Sequence, residues 1–432
     1  MITRTTKQGA GRWVMWGVLT LAYIIVYMHR VAPSVVADQL METFAVRDGA
    51  VLGSLAAMYF YVYLVMQLPS GIMADSLGPR ATVAAGAMFA AFGSFFFAIA
   101  PSIFLAFVGR FLVGLGVSVI FVSILKFQSV WFSPNEFALI TGLLILVGNV
   151  GAMMAATPLA FLVDAFGWRF SFLLIALFTV IFAIACWVVV RDTPPNVYRV
   201  VDEVSVADKF QENLRQMMLV IRNRQTWPPF FVAFGIYGTL ITFQGMWGVP
   251  YLMQVYGLSR TAAANLMLLV AAGMASGSPF IGFLSDKTQR RKWPYILFTL
   301  MFTTTWGALV FWNQGRAPLF ALYPLCFLLG FFGGSMTLTF ALGKELNPPE
   351  FAGTGIALVN SGGFLGIALL QPFLGYLLDL RWDGVLLEGV KIYSQDAYFT
   401  AFGFCLVFLA LSVVGAFLAR ETKGKNCFVD KK

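Results

Sequence analysis

Long apolar runs, broken by short polar stretches, recur from one end of the chain to the other. A helix needs about 20 predominantly apolar residues to cross a bilayer, and more when tilted. Twelve runs are read as such spans: 13–38, 50–71, 81–99, 103–130, 136–163, 169–190, 228–255, 262–285, 293–312, 318–341, 352–379 and 397–419. One polar stretch, 191–227, divides them six and six. The pattern predicts an all-α membrane protein of 12 transmembrane helices in two pseudo-symmetric six-helix bundles. Its expected parts are an N-terminal bundle (1–190), a linker (191–227), a C-terminal bundle (228–419) and a tail (420–432). The first run is too long for a signal-peptide core and lacks a small-residue cleavage site, so it is expected to be a retained span.

Composition agrees with the pattern. The chain has 432 residues, 59% of them hydrophobic and 11% charged, against about 25% charged in ordinary soluble domains. A net charge of +9 would suggest nucleic acid in a soluble protein. Here the cations lie mainly in loops and tails, so topology explains them and no nucleic-acid partner is expected. Arg4, Lys7 and Arg12 precede span 1, and Arg80 follows span 2. The central stretch holds Arg191, Arg199, Lys209, Arg215, Arg222 and Arg224. Lys287, Arg290, Arg291 and Lys292 follow span 8, and Arg420, Lys423, Lys425, Lys431 and Lys432 stand in the tail. The loops on the other side are poorer, with Arg47, Arg169, Arg260, Arg316, Arg381 and Lys391 spread among them. The positive-inside bias predicts both termini in the cytoplasm, for a multi-pass protein of a bacterial inner membrane. Cys186, Cys326, Cys405 and Cys427 show no spacing of a metal site or disulfide framework.

The two halves repeat one another. GIMADSLGPR (71–80) follows span 2 and GFLSDKTQRRK (282–292) follows span 8, placing Asp75 and Asp286 211 residues apart. SPNEFA (133–138) before span 5 matches PPEFAG (348–353) before span 11. Glu136 and Glu350 differ by 214, as do Pro158 and Pro372. A near-constant offset indicates a duplicated six-helix unit, the way many secondary transporters are built.

At these residues the chain resembles the major facilitator superfamily of transporters. The family's loop Gly-x-x-x-Asp-x-x-Gly-x-Arg between helices 2 and 3 is matched by Gly71, Asp75, Gly78 and Arg80. Its echo after span 8 has Gly282, Asp286, Arg290 and Arg291 without the second glycine. The helix 4 pattern Arg-x-x-x-Gly-x-Gly is matched by Arg110, Gly114 and Gly116, and GWRFSF (167–172) stands where helix 5 meets helix 6. Gly71, Asp75, Gly78, Arg80, Asp286, Arg290 and Arg291, with Arg110, are therefore the expected gating residues. Their Asp–Arg pairs are expected to latch the two halves at the cytoplasmic side. Arg110 has a structural alternative, bonding backbone around the helix 4 glycines.

Span 1 carries the chemistry. Tyr23, Tyr27, Arg30 and Ser34 recur at spacings of 4, 3 and 4, which is one helical face. Arg30 can hold a carboxylate or phosphate in bidentate fashion. The competing reading is an arginine that snorkels outward or pairs with Asp38. YMHRVAPSV resembles the helix 1 pattern Tyr-x-x-Arg-x-x-x-Ser of organic-anion members, such as anion:cation symporters and sugar-phosphate exchangers. That resemblance makes Arg30 the anion-binding residue. Span 7 has no charged residue between Phe230 and Tyr256, which argues against a phosphate ester. His29 and Val117 stand where many anion symporters carry acids, so their proton relay does not transfer intact. A second resemblance, of HRVAPSVVADQLMETFAV with YFYVYLVMQLPSG, is to bacterial amino-acid or nucleoside importers.

His29 is the single histidine, and imidazole titrates near neutrality. It is the expected proton-coupling residue. The alternative is a neutral histidine packed against a neighbouring helix, since adjacent residues differ by about 100° around a helix. Further candidate substrate ligands are Tyr63 and Gln67 on span 2, Tyr237, Gln244 and Trp247 on span 7, and Asn360 on span 11. Each polar group has helix–helix hydrogen bonding as its alternative. There is no Ser-His-Asp set, metal cluster or phosphate-cradling loop, so neither an enzyme nor a cofactor is expected. The expected function is import of a small carboxylate-bearing metabolite, an organic acid or amino acid, by proton symport. The partners are the substrate, protons and the bilayer, and the resemblance implies a monomer. Proton-coupled multidrug efflux and nucleoside import are the alternatives. Span 5, GNVGAMMAATPLAF, lacks the Gly-Pro pair common in efflux members.

Overall fold

The computed structural model describes residues 11–132, 134–194, 214–215, 217–387 and 390–428. Eleven of its helices are long and apolar enough to cross a membrane, and Gly49–Val65 is a shorter apolar helix. Helix 1 is Gly11–Val35, followed by the short helix Ala37–Thr43. Helix 2 is Gly49–Val65, continued by Gln67–Ser76, and helix 3 is Pro79–Ile99. Helix 4 is Ile103–Ser118 and Ile120–Trp131, helix 5 is Pro134–Met154 and Thr157–Phe166, and helix 6 is Trp168–Val189. Helix 7 is Trp227–Thr242, a π segment Phe243–Trp247, and Gly248–Tyr256. Helices 8 and 9 are Arg260–Thr288 and Lys292–Phe311. Helix 10 is Leu319–Gly333 and Met336–Glu345, and helices 11 and 12 are Ala352–Leu380 and Gln395–Leu418. A hairpin of Leu386–Leu387 and Val390–Lys391 lies between helices 11 and 12.

Prolines set most of the breaks. A proline has no N–H for the carbonyl four residues back. Pro69 leaves the Val65 carbonyl without its donor, and helix 2 breaks there. Pro158 does the same to Met154 in helix 5. Pro250 follows the π segment of helix 7, whose Met246 carbonyl it leaves free. Two other freed carbonyls find donors in distant helices. Pro33 frees His29, and Arg110 donates to the His29 carbonyl at 3.0 Å. Pro372 frees Ala368, and the Tyr61 hydroxyl donates to it at 2.7 Å.

The surface is apolar. Phe104, Val188 and Phe320 are 74%, 71% and 74% exposed, as expected of side chains that face lipid. The inside is packed through small residues. A Cβ on Gly53 of helix 2 would fall on the Gln371 backbone of helix 11, and Gly49 and Gly375 meet in the same way. These contacts join the two halves toward the face opposite the termini. Of the expected linker, 195–213 and 216 lie outside the described residues. Val220, near its end, packs with Phe230 and Leu358.

Candidate functional site

Tyr23, Tyr27 and Arg30 share one face of helix 1, and Arg30 on that face meets the C-terminal half. The Arg30 guanidinium lies 4.5 Å from the Tyr27 ring, 5.9 Å from Tyr63 and 5.5 Å from Phe364. Its Nη1 donates to the Tyr237 hydroxyl at 2.7 Å. Tyr23 packs edge-on to Tyr27 and stacks on Phe121. Arg30 is 4% exposed, and among the described residues no carboxylate pairs with it. Aromatic faces stabilise a cation without neutralising it. The result is a buried positive charge between the halves that can accept a carboxylate. Asp38 does not serve it, because Asp38 binds Arg260.

A cavity of about 490 Å³ adjoins this cage on the side of the termini. Helices 2, 4 and 11 line it, with Gln67, Gly71, Phe121, Asn360 and Ser361 among the contributors. Gln67 stands one turn from Tyr63, and Asn360 one turn from Phe364. The volume lies within the usual range for small-molecule sites. Three other candidates lie elsewhere. Ser34 donates to the Val31 carbonyl at 3.0 Å. Ser34 and Trp247 line a second cavity of about 300 Å³ toward the opposite face. Gln244 donates to the Met267 carbonyl at 3.3 Å, and Trp247 donates to the Gln371 carbonyl at 3.0 Å.

His29 is fully buried, and neither ring nitrogen has a hydrogen-bond partner. Arg110 is 1% exposed and binds the carbonyls of His29 and Ala56 at 3.0 and 3.4 Å. It ties helix 4 to helices 1 and 2 within the core, away from the loop charges with which it was grouped as a gate.

The described bonds of Arg80 and Arg291, one in each repeated loop, stay on their own side of the interface. Gly78 has φ +86°, and a Cβ there would strike the Asp192 carboxylate. The Arg80 backbone N–H donates to Asp192 at 2.8 Å, and its Nε donates to the Trp187 carbonyl at 2.7 Å. Gly78, Arg80 and Trp187 belong to the N-terminal half, and Asp192 follows it directly at the start of the expected linker. The Asp75 side chain lies outside the described residues, and Gly71 has open space around it. In the C-terminal half Arg291 binds Asp286 at 2.7 Å and Glu345 at 3.2 Å, while Arg290 is exposed. The tail docks on this loop. Glu421 accepts from the backbone N–H groups of Arg291, Lys292 and Lys423 at 2.8, 3.1 and 3.0 Å, and Thr422 bonds Glu345. Burial raises the Glu421 pKa, but the hydrogen bonds prevail and hold it below the usual carboxylate range.

Among the described residues, ion pairs join the halves at the opposite face, in the loops poorest in cations. Arg260 at the start of helix 8 holds Asp38 through two bonds of 2.7 and 2.9 Å and Asp164 through one of 2.7 Å. Lys391 reaches Asp48 at 3.3 Å and Asp379 at 2.9 Å. Tyr393 adds a bond to Asp379 at 2.8 Å. Sequence reasoning missed this set. Its signal was a few charges in otherwise cation-poor loops, without any indication of the pairing.

A family model described as the Major Facilitator Superfamily matches residues 19–371 and, in a second match, 242–427. The chain is 26% identical over 343 residues to a hexuronate transporter of Escherichia coli (strain K12), covering 75% of this chain and 76% of that one. It is 24% identical over 409 residues to the probable galactarate/D-glucarate transporter GudP of Bacillus subtilis (strain 168), covering 88% of each. Among solved structures, it is similar to a bacterial homologue of the human lysosomal transporter Spinster in an inward-facing, unoccupied conformation. The TM-score is 0.76 at 20% identity, covering 95% of this chain and 97% of that one.

Proposed function

The chain belongs to the Major Facilitator Superfamily, and from that premise we propose that it moves a small sugar acid or related carboxylate by alternating access. It is a transporter and not an enzyme. One observation carries the substrate class: Arg30 is buried between the halves among aromatic rings and a phenol, with no carboxylate of the described chain beside it. The substrate carboxylate would complete that site. Gln67, Asn360 and Ser361 in the adjoining cavity suit the hydroxyls of a polyhydroxy acid. The hexuronate and galactarate/D-glucarate names of two relatives point to the same chemistry.

The halves are closed at the face opposite the termini and leave the cavity at the other. With the termini in the cytoplasm, as the cation bias expects, this is an inward-facing arrangement. Arg260 and Lys391 then act as the outer gate. Import by proton symport is the direction and coupling we assign, with His29 as the coupling group. His29 lies one residue from Arg30, so an arriving anion would favour its protonation.

Thermal stabilisation of the detergent-purified protein tests this reading. The panel is D-glucuronate, D-galacturonate, galactarate, D-glucarate, amino acids, nucleosides and lipophilic cations. A ligand that binds only the folded state raises the unfolding midpoint with concentration. Stabilisation by sugar acids, lost in Arg30→Ala, is the expected result. Stabilisation by lipophilic cations alone, indifferent to Arg30→Ala, would overturn the reading in favour of efflux.

A further inference from the structure

Tyr237 meets Arg30 differently from Tyr27, Tyr63 and Phe364. Tyr27, Tyr63 and Phe364 present ring faces to the guanidinium at 4.5 to 5.9 Å. Tyr237 presents its hydroxyl oxygen to Nη1 at 2.7 Å. It therefore occupies a donor a carboxylate would use. The Tyr59 hydroxyl of helix 2 also faces Arg30, but from the same half; Tyr237 comes from helix 7, in the half opposite helix 1, so its bond spans the halves.

We propose that Tyr237 is an internal stand-in for the substrate: Arg30 holds its hydroxyl when the cage carries no anion and releases it to take the substrate carboxylate. The exchange is favourable in that direction because a carboxylate is charged and can take two parallel N–H donors, whereas a phenol is neutral and takes one. The proposal rests on the reading of Arg30 as the anion site.

The consequence concerns the empty carrier. A symporter that has delivered its cargo must return without it. That return closes the halves around a buried arginine, and a buried charge without an acceptor is expensive. The Tyr237 hydroxyl supplies the acceptor from across the interface. Exchange of internal for external substrate skips the empty return, so it depends less on this bond.

Tyr237→Phe removes only the hydroxyl, and Tyr61→Phe is the control. Tyr61 also donates a 2.7 Å bond across the halves, to the Ala368 carbonyl, without touching Arg30. The first measurement needs no ligand. In a background with the native cysteines replaced by alanine, Met41→Cys is labelled by a membrane-impermeant maleimide. Met41 is 4% exposed and lines the cavity at the closed face. Adding Tyr237→Phe is expected to slow labelling about tenfold, because the empty return that opens this face loses its acceptor, on the scale of a lost bond to a charged donor. An unchanged rate overturns the proposal. The second measurement compares net uptake with exchange of D-glucuronate in proteoliposomes. The ratio of exchange to net uptake is expected to rise about tenfold in Tyr237→Phe and to stay put in Tyr61→Phe. Equal ratios in the two variants overturn the proposal. A wild-type protein that moves no D-glucuronate would count against the hexuronate substrate, and the labelling result would then decide the role of Tyr237 alone.

Discussion

Arg260 on helix 8 grips Asp38, on the far side of the interface between the halves, through two hydrogen bonds of 2.7 and 2.9 Å. The Arg260 side chain is 9% exposed, so the pair is screened less than a surface ion pair. Asp38 follows the arginine of the cage by only eight residues, yet it serves the gate, and among the described residues no carboxylate is left to pair with Arg30.

Arg260→Ala should therefore loosen the closed face. Asp38 and Asp164 are each partly exposed, so water takes up much of the loss, and a shift of about 1–2 kcal/mol is expected. Spin labels at Arg47 and Arg381, both exposed on that face, would report it. The distance distribution should gain a longer component. A distribution identical to wild type would deny Arg260 a gating role.

Arg30→Met separates stability from function. Removing a buried cation that lacks a carboxylate relieves a cost of about 1–3 kcal/mol. The thermal midpoint should rise, or at least hold, while stabilisation by sugar acids disappears. Arg30→Lys keeps the charge but loses the planar fork, so binding should weaken strongly. Full binding in Arg30→Lys would show that charge alone suffices.

The twelve spans were legible because hydropathy needs no knowledge of neighbours. The shared face of Tyr23, Tyr27 and Arg30 was legible for the same reason, since helical spacing is local. The breaks in helices 2 and 5 were visible as Pro69 and Pro158, although the spans were read as continuous. Helix 1 was read through to residue 38, whereas the chain leaves the helix after Val35 and starts another at Ala37. What stayed hidden was the register between helices. Pro33 and Arg110 are both plain in the sequence, but nothing local shows that one frees the carbonyl the other caps. The same holds for Pro372 with Tyr61, for Tyr237 with Arg30, and for Arg260 with Asp38. Ser34 illustrates the converse: it has the spacing of the binding face, but near the helix end it turns to its own backbone.

His29→Gln tests coupling without removing a polar side chain. Both ring nitrogens of His29 are buried and unbonded, so little hydrogen bonding is lost. Downhill exchange of substrate should persist, while accumulation driven by an imposed proton gradient should stop. Retained accumulation would move the coupling role to another group. Arg110→Ala should behave differently. It orphans the His29 carbonyl that Pro33 frees, and should destabilise the protein by about 1–3 kcal/mol whatever the gradient.

Glu421 provides a pH test at the other face. Its carboxylate accepts three backbone N–H groups, and these outweigh burial to hold its pKa below the usual value. A depressed folded-state pKa means that the carboxylate stabilises the docked tail above the ordinary glutamate range, and that this contribution is lost as pH falls through the depressed value. Amide hydrogen exchange at Arg291 and Lys292 reads the docking directly, because their N–H groups are the donors. Once corrected for intrinsic rates, their protection should fall on acidification, starting below about pH 4.3. In Glu421→Gln it should be low throughout and nearly independent of pH. Protection that stays constant into strong acid in the wild type would mean that the tail is held by Thr422 and Glu345 without help from the Glu421 charge.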